Sequence, residues 1–323
     1  TGFAKSEGGS PLFGANAELR IDASSGDVSV AKPAKVSAEA NVAANEAVVE
    51  AIANLAIEAS EDVTLPGAIV LADAIASGHA NYANALAVLQ LSADGDVDVS
   101  HSGLFAQANA NAPLASSYDT ADAIINVFAG HDVFVAGNVD AIAVSLSNHS
   151  GNFANALINI EAGASGSGSL TMIISNIEAL ALADPMNDHA LAGVTLNAED
   201  NILVVGEDPI ADAFAGTVGA FLQTHFTTNL KHSGASSSVA SAFIHIRSVD
   251  GTITFVPLNN DQEGALRALA SDQPNTNSGS LTAIKLLIND LDCGVLGSAG
   301  TPQGQGEACA KTAFDIGEAD TGP

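Results

Sequence analysis

The chain has 323 residues, of which 47% are apolar but only 4% aromatic, and its formal net charge is −28. No Lys or Arg lies between Val36 and Leu230. Nucleic acids and anionic membranes both attract basic surfaces, so this charge distribution excludes them as partners. No run of 18 apolar residues is present, and we expect no membrane insertion.

The first predicted element is an N-terminal arm, residues 1–18, which contains Gly, Ser and Pro and alternates weakly. We expect this arm to precede the repeats rather than to belong to them. An extended segment of this kind is able to add to the sheet of a neighbouring subunit. The residues expected in this polymerisation arm are Thr1, Gly2, Phe3, Leu12 and Phe13.

A four-fold sequence repeat follows the arm. An Asp–Val pair begins an alternating phrase at Asp27, Asp62, Asp96 and Asp132, in steps of 35, 34 and 36 residues. A fixed period of this length is typical of repeat architectures, in which each unit packs only on its neighbours. We therefore interpret residues 19–260 as a single stack of repeats.

Each period contains three short runs with alternating apolar residues, which is the pattern of β-strands. In the first period these are the Asp–Val phrase, Val36–Ala43 and Ala51–Ala59. Three strands and three corners account for the period. The sequence thus predicts an all-β fold, a parallel β-helix (β-solenoid) of about 35 residues per turn. A β-sandwich or jelly roll is the alternative, because the later repeats are irregular.

Aromatic residues recur with the same period. Tyr82, Tyr118 and Phe153 are separated by 36 and 35 residues. Equivalent positions in consecutive turns lie one strand spacing apart, where aromatic side chains stabilise each other. We therefore predict an aromatic ladder at these three residues.

Acidic residues cluster around the repeated phrase, at Asp62, Asp94, Asp96 and Asp98. Stacked carboxylates repel unless they are solvated or bridged, and Ca²⁺ prefers several oxygen ligands. These four residues are the candidate calcium site, with a solvated acidic wall as the alternative. Polysaccharide-degrading β-helix enzymes also use grouped acids. We expect no enzymatic activity, because no catalytic motif and no basic residue for an acidic substrate accompany them.

Residues 261–323 are predicted to form a partly helical C-terminal cap and a tail. Apolar residues that share one helical face indicate helices over Gln262–Ser271 and Ser280–Leu291. Cys293 and Cys309 lie 16 residues apart in a Gly-rich region. A disulfide between them suits a secreted protein, and two free thiols are the alternative.

The phrases at residues 21–30 and 129–139 resemble filamentous-haemagglutinin-type repeats of large secreted bacterial proteins. The resemblance is one of composition and rhythm and covers about residues 19–205. It implies a right-handed β-helix, located outside the cell or on its surface after removal of a signal peptide, that works in adhesion or as a structural fibre. The period of about 35 residues is longer than those repeats usually show.

The terminal turns of a solenoid leave backbone groups unpaired unless they are capped. Here the cap is predicted at the C-terminal end, and only the arm is predicted at the other. We therefore expect a structural subunit that self-associates into a homopolymer, head to tail, through its solenoid ends and terminal strand exchange. A secreted module that binds a glycan or a host surface along the solenoid face is the alternative.

Overall fold

The computed structural model describes residues 2–6, 12–30, 34–43, 48–78, 82–112, 118–147, 151–173, 176–184, 189–205, 210–215, 239–256, 267–272, 281–288, 291–294, 296–297 and 301–302. Every regular element in these ranges is a β-strand. The strands are β1 (Gly2–Ser6), β2 (Leu12–Ala23), β3 (Val28–Ser29), β4 (Lys35–Ala43), β5 (Val48–Ala59), β6 (Val63–Thr64), β7 (Ile69–Ser77), β8 (Tyr82–Ala93), β9 (Val97–Ala112), β10 (Tyr118–Ala129), β11 (Val133–Ser147), β12 (Phe153–Ala162), β13 (Leu170–Ile173), β14 (Asn176–Asp184), β15 (His189–Ala198), β16 (Ile202–Val205), β17 (Ile210–Ala215), β18 (Val239–Ser248), β19 (Ile253–Val256), β20 (Arg267–Asp272), β21 (Leu281–Ile288), β22 (Leu291–Gly294), β23 (Leu296–Gly297) and β24 (Thr301–Pro302).

These strands form three parallel ladders, one for each run of the repeat. The ladder of the Asp–Val phrase is β3, β6, the first part of β9 and of β11, β13, β16 and β19. The second is β1, β4, β7, the remainder of β9 and of β11, β14, β17 and β20. The third is β2, β5, β8, β10, β12, β15, β18 and β21. The predicted all-β parallel solenoid of about 35 residues per turn is confirmed.

Each turn contributes three strands, and these belong to only two sheets. The first two ladders share sheet A, because β9 and β11 run through both, and the third ladder is sheet B. Sheet A bends between the two ladders, where His101 has a φ of 53° and Gly137 a φ of 144°. A Cβ at Gly137 would overlap the carbonyl oxygen of Ser102, so the bend at this turn requires glycine.

The core is built from columns of side chains of equal size. Alternate residues of every strand point inward, and parallel pairing in register stacks each one on its counterpart in the next turn. Near the corner where the chain passes from sheet A into sheet B, the residues in the columns are alanine. Toward the corner at the Asp–Val phrase, they are Leu, Ile and Val. The sheet B columns include Ala51, Ala85, Ala121, Ala154 and Ala190, and Leu55, Leu89, Ile125, Ile158 and Val194.

The cross-section is therefore a wedge. The chain turns back from β4 into β5, so the alanines of the two strands face each other across a thin edge. At the opposite edge the Asp–Val ladder adds a third side, and the larger side chains fill the wider space. We call these the narrow edge and the wide edge.

The boundaries predicted for the repeats were wrong at both ends. Residues 1–18, predicted to be an arm, contribute β1 and the first part of β2, which pair in parallel with β4 and β5 of the same chain. Beyond residue 260, β20 and β21 continue the parallel ladders on β17 and β18.

The helices predicted over Gln262–Ser271 and Ser280–Leu291 were also wrong, since the described residues there are strands. Residues Leu281, Ile284, Leu287 and Ile288 fit one helical face. The same segment also alternates, however, and in its parallel pairing with β18, Leu286 and Ile288 are the register partners of Ile244 and Ile246. Pairing with β18 decides between the two periodicities.

Candidate functional sites: a corner ladder, an open end and a groove

The repeated aspartates form a continuous hydrogen-bonded column at the wide edge. The backbone N–H of Asp62 donates to Oδ1 of Asp27 at 3.1 Å, that of Asp96 to Oδ1 of Asp62 at 2.8 Å, and that of Asp132 to Oδ1 of Asp96 at 2.9 Å. Each side chain thus satisfies the backbone of the turn that follows it. We call this column the corner ladder.

The corner ladder continues where the aspartates end. The N–H of Ser169 donates to Oδ1 of Asp132 at 2.7 Å, that of Asn201 to Oγ of Ser169 at 3.3 Å, and that of Thr252 to Oδ1 of Asn201 at 3.0 Å. Ser, Asn and Asp have in common only a side-chain oxygen close enough to the backbone to accept this hydrogen bond. The position requires an acceptor and not a charge.

The candidate calcium residues do not converge on one site. Asp62 and Asp96 belong to the corner ladder, Oδ1 of Asp98 accepts the hydroxyl of Ser100, and Asp94 is an exposed corner residue. In the part of the chain that the structure describes, no three His, Cys, Asp or Glu side chains are grouped to hold a metal ion. The corner ladder spreads the carboxylates of Asp62 and Asp96 along the axis, and calcium binding at the four residues stays a prediction.

The first described strands of the three ladders are β1, β2 and β3. Among the described residues, each of them pairs with a strand on one side only. The inward side chains Leu19 and Ile21 are half-buried, whereas Leu55 and Ile57, one turn further, are at most 1% exposed.

At the other end of sheet B the last described strand runs antiparallel to the rest. Strand β22 folds back antiparallel on β21 and pairs with residues Leu286 to Ile288. In sheet A the last strands, β19 and β20, have one partner each among the described residues. A β cap thus occupies part of the end where a partly helical cap was predicted.

The residues predicted for a polymerisation arm pair within the single chain. Gly2 and Phe3 of β1 pair with Ala38 and Glu39, and Leu12 and Phe13 of β2 pair with Val48 and Val49. Thr1 lies outside the described residues. Strand exchange between subunits through this segment stays a prediction.

The predicted aromatic ladder forms only in part. Tyr82 and Tyr118 are register partners, but Phe153 pairs with Thr120. Ala112 and Ser147 are register partners before this corner, and Thr120 and Phe153 are register partners after it, so the chain from Ser147 to Phe153 is two residues shorter, which shifts Phe153 along the sheet. Its ring stacks instead on His189, with centroids 4.9 Å apart. Cys293 lies in β22, and Cys309 is outside the described residues, so their disulfide stays a prediction.

A buried carboxylate closes one corner of the narrow edge. Asp119 is fully buried, and its Oδ1 and Oδ2 accept the N–H groups of Ala83 at 3.1 Å and Ala112 at 2.7 Å. Its own N–H donates to Oδ1 of Asn152 at 3.2 Å, and the hydroxyl of Ser145 donates to its carbonyl oxygen at 2.9 Å. Burial raises the pKa of Asp119 to about 7. The carboxylate of Asp119 is thus an acceptor for two backbone N–H groups.

A second perturbed carboxyl lies on the outer face of sheet A. Asp140 pairs in register with Glu178 of the next turn. Burial, and then the charge of Glu178, raise the pKa of Asp140 to about 6. Its Oδ1 is buried and has no hydrogen-bond partner among the described residues. Asp140 therefore weakens the fold whenever it is ionised.

A groove of about 520 Å³ lies along the bend of sheet A. Ile69, Phe105 and Phe134 supply apolar walls from three consecutive turns, and His101 and Asn138 supply polar atoms. Ile69 is 50% exposed there. No Asp, Glu, Lys or Arg is among the described residues that line the groove. The groove is neutral on an otherwise acidic wall.

Comparison of this chain with protein-family models, with curated proteins and with solved structures gives no match. The described residues include no apolar helix of the length that crosses a membrane. The functional proposal therefore rests on the solenoid and on the sites described above.

Proposed function

We propose that this chain is a structural subunit of an extracellular or cell-surface filament, joined to its neighbours through the ends of its solenoid. The observation that carries the proposal is the parallel stack of turns in register, a fold whose two sheets extend along one axis by the addition of further strands. Strand edges at the end of such a stack recruit further strands. The extracellular location follows from the resemblance of the repeats, and the proposal includes no catalytic role.

The distribution of charge supports association through ends rather than sides. Residues 36–230 carry 23 acidic and no basic side chains, whereas residues 1–35 carry four of each and are neutral overall. Two solenoid walls therefore repel each other, and the N-terminal end does not share that repulsion. Linear assembly is the arrangement that keeps the walls apart.

Sedimentation velocity and electron microscopy over a range of protein concentrations test the proposal. We expect species that grow with concentration and are elongated along the solenoid axis. The substitution Leu19→Lys directs a charge at the first described core layer and is expected to abolish growth. Ile69→Lys is the matched control, since it changes a half-exposed apolar residue of the wall. A wild-type protein that stays monomeric at every concentration and ionic strength would refute the proposal.

The groove favours a second candidate function, the binding of a neutral saccharide. Two Phe side chains offer apolar faces for a sugar ring, and His101 and Asn138 offer hydrogen bonds at the rim. Acidic glycans are excluded by the surrounding charge. Phe105→Ala is expected to abolish binding of a neutral oligosaccharide in calorimetry, whereas Phe128→Ala on sheet B leaves it unchanged. No measurable heat with any neutral oligosaccharide would refute this candidate.

A further inference from the structure

Five apolar residues form a cluster on the outer face of sheet A, separate from the core. Alternate residues of β11 and β14 point away from the core, and the cluster consists of Ile142, Val144 and Leu146 of β11 and Leu180 and Leu182 of β14. We call it the outer cluster. One turn earlier, the register partners of its β11 residues are Gln107, Asn109 and Asn111, which are polar. The outer cluster is therefore a local feature and not part of the repeat.

Two members of the outer cluster are more buried than their neighbours within the sheet explain. Val144 is 9% exposed and Leu182 is 3% exposed. Ile124, on the outer face of sheet B, also lies between two apolar register partners, Val88 and Leu157, yet it is only half-buried. Among the described residues, the strands that pack on β14 are its neighbours in sheet A and strands of sheet B on the core side. The outer cluster therefore needs a cover from elsewhere in the chain.

The corner between β17 and β18 is much longer than its counterparts. Earlier corners from the second ladder to the third have four or five residues, such as 78–81 and 113–117. The corner after β17 has 23 residues, 216–238. It begins two residues after Phe214, which is the register partner of Leu182. The additional chain thus begins beside the outer cluster.

The sequence of this corner suits an apolar surface on an acidic wall. Apolar residues recur at every fourth position, at Val218, Leu222, Phe226 and Leu230. This spacing places side chains close to one face in an α-helix and on one face in a strand. The corner contains no Asp or Glu, and its Lys231 is the first basic residue after Lys35. On the outer face of sheet A, Asp140 and Glu178 immediately precede the outer cluster.

We propose that residues 216–238 pack on the outer cluster and form with it a second, small core on the outside of sheet A. The apolar residues of the corner cover Val144 and Leu182, and Lys231 offsets part of the charge of the wall. The inference is independent of the proposed function, because the surface and the segment that covers it belong to one chain.

A double-mutant cycle between the corner and the outer cluster is the first test. Leu182→Ala and Phe226→Ala are made singly and together, and the urea midpoint of each variant is measured by far-UV circular dichroism. We expect each substitution to lower the midpoint. The double variant should lose less than the sum of the two single shifts, because both substitutions open the same small core.

The control for this cycle is Thr217→Ala, because position 217 is opposite the apolar face in a helix and in a strand alike. Its shift should add to that of Leu182→Ala. Shifts of Leu182→Ala and Phe226→Ala that also add would overturn the inference, since they would mean that the two side chains lie in separate environments.

The second test replaces residues 216–238 by the four residues of the corner 78–81. In the full chain we expect Leu182→Ala to shift the urea midpoint about twice as far as in the shortened chain, where Leu182 has lost its cover. Ile124→Ala on sheet B should give the same shift in both chains. Equal shifts for Leu182→Ala in both chains overturn the inference. If the shortened chain does not fold, the cycle in the full chain decides.

Discussion

Replacement of Asp96 by Asn and by Ala separates the hydrogen bond of the corner ladder from its charge. Oδ1 of Asp96 accepts the N–H of Asp132 at 2.9 Å, and its own N–H donates to Asp62. Asn keeps the acceptor, as Asn201 does in the same column, whereas Ala removes it. Loss of such a side-chain acceptor at an exposed backbone N–H costs about 1 kcal/mol, as for a helix N-cap.

The negative charge of Asp96 has the opposite effect on stability. Turns rise by about 4.8 Å, so the carboxylates of Asp62 and Asp132 each repel that of Asp96 by up to about 0.9 kcal/mol in water without salt. We expect Asp96→Asn to raise the free energy of unfolding by about 1 kcal/mol at low ionic strength. This gain falls toward zero in about 1 M salt, where the Debye length is about 3 Å. Asp96→Ala stays about 1 kcal/mol below Asp96→Asn at both ionic strengths.

Urea denaturation followed by far-UV circular dichroism, at low and high salt, measures these differences. Asp98→Asn is the matched control, because Asp98 faces outward in the same phrase but has Thr64 and Phe134 as its register neighbours. Equal destabilisation by Asn and Ala would show that the side-chain oxygen does not hold the ladder. A wild type more stable than Asp96→Asn at low salt would indicate a bound cation instead.

Three further predictions concern single residues. Burial raises the pKa of Asp119 to about 7, so as the pH rises the folded state keeps the proton of Asp119 after the unfolded state has lost it. The free energy of unfolding should therefore fall by up to about 4 kcal/mol between pH 4 and 7. A denaturation midpoint that does not change with pH across this range contradicts the reasoning. Asp140→Asn should raise the melting temperature at pH 8 but not at pH 4, since it removes an ionised carboxyl beside Glu178; an equal shift at both pH values would mean that the charge is not the cause. Gly137→Ala should lower the free energy of unfolding by several kcal/mol, because φ is 144° and the new Cβ meets the Ser102 carbonyl oxygen. Gly26→Ala should lower it by about 1 kcal/mol, because Gly26 also has a positive φ but has open space around it. Similar costs at both sites would contradict the close approach at Gly137.

The period and the strand alternation could be predicted from the sequence because both are local properties. Repeats of equal length force equivalent residues into register, so the phase of Asp27, Asp62 and Asp96 indicates the turn directly. The strands at both ends were missed for the same reason. Residues Gly2–Ser6 and Arg267–Asp272 alternate too briefly to be recognised alone, and only their parallel pairing with β4 and β17 identifies them.

The candidate site residues were harder to predict, because their roles depend on contacts across turns. Asp119 falls at an inward position two residues before Ala121, which is the one local sign that its carboxyl is buried. Its two N–H donors come from Ala83 and Ala112, which no sequence pattern connects to it.

By itself, the sequence determined a parallel stack of about 35 residues per turn with an acidic wall, since composition and period act within each turn. Only the tertiary structure decided what the repeated aspartates do, which strands belong to each ladder, and where β22 folds back on β21. Those properties depend on which backbone groups find partners, and each partner lies one turn away or, at the ends, is missing among the described residues. The local sequence pattern determines the strands and the length of each turn. The pairing between turns determines the surface on which the proposed function depends.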